Sequence, residues 1–110
     1  MKYQHKGLVA GRWENFSFME QMANVASEIE RSFNWRLKNN IDYSHKAFQR
    51  GLELLDLILD NTRDISRLKE LCRVREALVD YFLGINQFKS TDASWRKYFS
   101  AFAYASRKNC

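Results

Sequence analysis

The side chains best suited to carry a reaction are few: His5, His45, Cys72 and Cys110. The histidines fall in separate segments, and neither belongs to a Glu-x-x-His pair, so the ligand set of a di-iron carboxylate bundle is not spelled. No Cys/His spacing suits zinc. There is no P-loop and no Gly-x-Gly-x-x-Gly to cradle phosphates. A thiol–imidazole nucleophile would need Cys72 and His45 brought together. Cys72 falls in an apolar helical row, where a thiol behaves as a small hydrophobe. His45, at a helix start, reads as exposed. No catalytic residue, cofactor or metal is expected from these spacings.

One residue stands out instead. In CRVREALVDYF (72–82), helical spacing puts Arg75 at the centre of an apolar arc with Leu71, Leu78, Val79 and Phe82. A buried, unpaired guanidinium would cost several kcal/mol, on the order of what a small domain's whole stability supplies. Three readings are open. Arg75 pairs with a carboxylate of a facing helix, for which Glu30 is best placed; it snorkels along its stem to water; or it faces a polar cavity that would be a site. On the opposite side, Lys69, Arg73, Glu76 and Asp80 stand at i, i+3 and i+4 spacings, which local ion pairs explain.

The elements that must hold these residues are helices. The chain has 110 residues, no proline and four glycines, which suits long helices and short turns. Ser17 and Glu20 form a capping box, followed by Phe18, Met22, Val25, Ile29 and Phe33 on one face; this helix runs to about Lys38 and stops at Asn39-Asn40. A second begins after Asp42 or Ser44. Its rows are Phe48, Leu52, Leu55, Leu59 and Ala47, Gly51, Leu54, Ile58, and a close helix crossing would give Gly51 its reason. A third spans about Ile65 to Leu83, with Leu68, Leu71, Cys72, Leu78, Val79 and Phe82 inward and Gly84 as its stop. A fourth follows Ser90 or Thr91, with Asp92 in its first turn and Trp95, Phe99, Phe102 and Ser106 in a row. Short joints between such helices predict one all-α domain over 1–110, an antiparallel up-down-up-down four-helix bundle, with 1–16 as an N-terminal lead-in.

Apolar residues make up 45% and charged residues 28%, a globular composition. The net charge of +5 permits a nucleic-acid partner without demanding one. Two cysteines make no disulfide framework, no apolar run is long enough to span a membrane, and no signal-peptide core opens the chain. A cytoplasmic protein is expected, with no membrane partner.

Aromatics are 15% of the chain, and most sit at core spacing. Trp35, Tyr81 and Tyr104 do not; they point off-face, where large aromatics serve interfaces. Together with Arg31, Arg96 and Arg107, Trp35 and Tyr104 form the candidate partner-binding set. The expected function is a non-enzymatic binding and assembly module whose partner is a second copy of the chain or another protein. A nucleic-acid-binding accessory protein is the alternative.

The segments NVASEIERSFNWR (24–36), AFQRGLELLDLIL (47–59), RLKELCRVREALVDYF (67–82) and KYFSAFAYASR (97–107) together resemble an uncharacterised family of small prokaryotic four-helix-bundle proteins. More distantly, the chain is similar in architecture to the bundle proteins of ribosomal intervening sequences and of diversity-generating retroelements. That resemblance implies a basic, oligomeric bundle that handles nucleic acid. It also resembles HEPN bundles, whose ribonuclease motif is an arginine followed four to six residues on by histidine. Arg73 and Arg75 are followed by Glu76, Asp80 and Tyr81 and by no histidine, so this likeness implies a degenerate HEPN-like nuclease at most.

Overall fold

The computed structural model describes residues 17–108, without the side chains of 103 and 106–108. The expected lead-in 1–16, His5 within it, Cys110 and the side chains of Ser106 and Arg107 therefore lie outside the described residues. Those described form helices α1 (Phe18–Leu37), α2 (Ile41–Asn61), α3 (Ile65–Leu83) and α4 (Asp92–Lys108), with no strand among them. None of these helices is long and apolar enough to cross a membrane.

Local chemistry sets each boundary. Ser17 Oγ accepts from the Glu20 N–H at 3.2 Å, and the Glu20 carboxylate accepts from the Ser17 N–H at 3.2 Å, the expected capping box. Asn39 ends α1 by taking φ 61°, a left-handed conformation that asparagine tolerates. The start of α2 differs from expectation. Its cap is Asn40, whose Oδ1 accepts from the Tyr43 N–H at 3.1 Å, so the asparagine pair ends one helix and begins the next. Ser44 is not a cap: it is buried and donates to the Ser32 carbonyl at 2.7 Å. Asp64 caps α3 through the Ser66 and Arg67 N–H groups, at 2.9 and 3.3 Å. Gly84 closes α3, its N–H reaching the Asp80 carbonyl at 3.0 Å. Thr91 caps α4, exchanging bonds of 2.9 and 3.0 Å with Ser94.

The core gathers around α1, which packs mainly on α2 and α4. Met22, Val25, Ile29 and Phe33 from α1 meet Phe48, Leu54, Leu55 and Ile58 from α2, Leu71, Val74 and Leu78 from α3, and Trp95 and Phe99 from α4. Phe82 stacks on Phe33 and Phe48, with centroids 5.6 and 4.2 Å away. Phe18, at the start of α1, meets Phe102 late in α4. At the other end of α1, Arg36 reaches Asp92 at the start of α4.

The α1–α2 seam is built from small residues. Ser32, Ser44, Ala47 and Gly51 are all buried. A Cβ on Gly51 would stand 3.1 Å from Ile29 Cδ1 and 3.5 Å from Glu28 Cβ, so the glycine has the close crossing its mid-helix position calls for. Ile29 Cδ1 is the end of a flexible side chain and can yield slightly. Gly51→Ala should therefore leave stability within about 1 kcal/mol, because helix propensity gains about 1 kcal/mol and offsets the crowding. Gly51→Leu should destabilise by about 2 kcal/mol or more through overpacking. Urea unfolding of both variants checks this, and equal midpoints would contradict a tight seam.

Candidate functional site

Arg75 does not sit where its sequence position suggested, nor does it pair with Glu30. The buried stripe of α3 is Leu71, Val74 and Leu78, with Ala77, Tyr81 and Phe82 partly buried beside it. At about 100° per residue, this face is turned some 60° from the arc expected, toward Val74, Ala77 and Tyr81. The turn follows from α3 having to serve α4 as well as α2. It carries Arg75 to the edge of the stripe and Cys72 out to the surface, where its thiol is exposed and not in the core. The Arg75 guanidinium donates to Asp56 of α2 at 2.7 and 3.4 Å. Both side chains are more than one-third exposed, so the pair contributes under about 1 kcal/mol. The ion pairs expected among Lys69, Arg73, Glu76 and Asp80 are not formed among the described residues. Asp80 instead accepts from the Phe88 N–H at 3.2 Å, fastening the α3–α4 joint.

Glu30 is taken by α4. Arg96 holds it with both arms of the guanidinium, at 2.9, 3.3 and 3.0 Å, and lies over the Phe33 ring at 5.2 Å. Among the described residues the buried carboxylate is Glu28, only 3% exposed, which accepts from Arg31 at 2.8 Å and from Arg50 of α2 at 2.6 Å. Glu28 is not among the apolar positions that spacing assigns to the inward face of α1. The available signal was Gly51, whose close approach covers that stretch of α1.

A second polar group ties three helices at one end of the molecule. Asp92 accepts from Arg36 at 2.5 Å and from the Tyr81 hydroxyl. The Arg36 guanidinium lies 5.3–5.5 Å from the ring centres of Phe33, Tyr81 and Phe82. Tyr81 thus packs inward and does not point off-face. Burial and the Asp92 carboxylate hold its phenol above the ordinary pKa, so it serves as a hydrogen-bond donor. Tyr98 is pushed up likewise, by burial and by Glu70, 3.3 Å from its hydroxyl. No group of three or more His, Cys, Asp or Glu suited to a metal ion exists among the described residues.

The expected partner-binding residues separate. Trp35 stands at the last turn of α1 and meets Tyr43 of α2 edge to face, 4.9 Å between centroids. Lys38 lies 5.2 Å from the Trp35 ring centre and Lys46 lies 5.4 Å from that of Tyr43. Trp35, Tyr43, Lys46 and Arg50 line a recess of about 240 Å³. Neither Lys38 nor Lys46 has a carboxylate partner among the described residues. Arg31, on the same helix, is largely exposed while reaching Glu28. Tyr104 is 64% exposed, but its end of α4 meets the start of α1. Seventeen residues of helix, about 25 Å, part that end from Trp35. The two aromatics cannot share one small partner. Tyr43 and Lys46 were missed because the turn at Asn39-Asn40 brings them to Trp35, which spacing within one helix does not show; Lys38, three residues on from Trp35, was legible by spacing.

No family model, no curated protein and no solved structure matches the chain.

Asp92→Ala should lower stability by about 1.5–3 kcal/mol, since it frees a charged donor and a phenol together. Arg75→Met should change it by less than about 1 kcal/mol. Thermal and urea unfolding of the two variants give the comparison, and a larger loss at Arg75 would reverse the assignment.

Proposed function

We propose that the chain is an antiparallel up-down-up-down bundle that works in the cytoplasm as a non-enzymatic binding and assembly module. The helix order is supported by contacts that run in opposite senses. Phe18 meets Phe102 while Arg36 meets Asp92, and Phe48 meets Phe82 while Asp56 meets Arg75. The non-enzymatic reading is supported by the anomalous arginine, which forms an ordinary, half-exposed ion pair rather than facing a polar cavity. The assembly half is supported by Leu83, Ile85 and Phe88, large apolar side chains left at the surface around the α3–α4 joint.

The observation that carries the binding half is the Trp35–Tyr43 ledge, with Lys38 and Lys46 over its rings and Arg31 nearby. Rings flanked by two lysines without carboxylate partners among the described residues suit an anionic partner. The cations steer it and the rings anchor it. Among anionic partners the ledge favours single-stranded nucleic acid, because bases stack on rings while phosphates meet lysines. This is the accessory-protein reading, and aromatic faces favour it over a purely acidic protein surface.

Fluorescence anisotropy with a labelled single-stranded oligonucleotide at low salt tests it. Affinity should fall with rising salt, and Trp35→Ala should weaken binding by about tenfold or more, as loss of one base stack implies. Lys38→Gln with Lys46→Gln should weaken binding and flatten the salt slope by about 0.7 per lost phosphate contact. No binding at low salt, or binding indifferent to Trp35, would remove the nucleic-acid reading.

A further inference from the structure

Helices α3 and α4 are joined by long side chains, Tyr81 to Asp92 and Tyr98 to Glu70, rather than by close backbone approach. Between them lies a groove of about 540 Å³ whose apolar lining includes Val74, Ala77, Trp95 and Tyr98. The Trp95 indole N–H is buried without an acceptor among the described residues, a state that costs about 1–3 kcal/mol unless something supplies one. Phe88, also in the lining, is 57% exposed, and Ile85 on the same joint is 85% exposed. A hole and a knob thus stand side by side.

The charges of the lining point to the occupant. Arg73 and Glu76 are one turn apart on α3, exposed, and without an ion-pair partner among the described residues. A polyanion or an acidic peptide would answer the arginine and be repelled by the glutamate. A surface that answers both, at the same spacing and in reversed order, is this surface rotated by a two-fold axis. We propose that a second copy of the chain docks here, Ile85 of each copy seating in the α3–α4 groove of the other and Arg73 of each facing Glu76 of the other. This rests on the assembly half of the function proposed above and assigns it a surface. The groove and the Trp35 recess share no lining residue.

Sedimentation velocity of the full chain over a concentration series, with circular dichroism to confirm helicity, tests the proposal. The wild type should form a concentration-dependent dimer. Ile85→Asp should weaken it by about tenfold or more. Arg73→Glu and Glu76→Arg should each weaken it by about tenfold, as facing like charges do. Combining the two reversals should restore the dimer toward wild-type strength, which damage to the fold could not do. A dimer unaffected by Ile85→Asp and by the single reversals overturns this interface and leaves assembly through another surface standing. A monomer at every concentration overturns both.

Discussion

The structure depends on how closely α1 and α2 approach. Gly51 has no side chain to separate them, and Ser32, Ser44 and Ala47 extend the same narrow seam. Dispersion forces act only over short distances, so a seam this tight fixes the register of the two helices. That register sets Arg50 against Glu28, which accepts it while almost free of water. A buried carboxylate held by two guanidinium groups contributes less to net stability than to uniqueness, since any slip would leave its charge unpaired. The same register, carried through the Asn39-Asn40 turn, stands Tyr43 against Trp35. The seam therefore builds the candidate binding ledge as well as the core.

Helices α3 and α4 join this pair by other means. Phe82 lies between Phe33 and Phe48, and Asp92 gathers Arg36 and Tyr81 from two helices. Arg96 clamps Glu30. Long side chains bridging gaps leave grooves where small residues would have closed them. The α3–α4 groove follows from that choice of residues, as do its indole, without an acceptor among the described residues, and the exposed apolar groups of the joint.

Much of the helical layout was legible in the sequence. Ser17 with Glu20, Asp92 in a first turn and Gly84 at a helix end each act through local hydrogen bonds or local charge, so a few residues suffice to read them. Helix α3 was legible in extent but not in rotation. Its apolar residues cover a wide arc, and only the positions of α2 and α4 decide that Val74 and Tyr81 turn inward while Cys72 turns out. Arg75 looked anomalous because the arc was centred on α3 alone. Arg50 meets Glu28, Arg96 meets Glu30 and Asp56 meets Arg75 across helices, and charge type alone cannot choose among several opposite charges at similar heights. The Trp35 ledge was half legible: the tryptophan was evident as an off-face residue, but its company was set by the turn.

The α1–α2 pair is thus the stable unit, with α3 and α4 held on it by bridging side chains. Native-state hydrogen exchange under increasing denaturant addresses that hierarchy residue by residue. Amides of Ile29, Ser32, Leu54 and Leu55 should exchange only through global unfolding, while those of Leu71 and Val74 in α3 should open at lower free energy. Equal protection across α3 and the α1–α2 seam, or α3 outlasting the seam, would contradict the account.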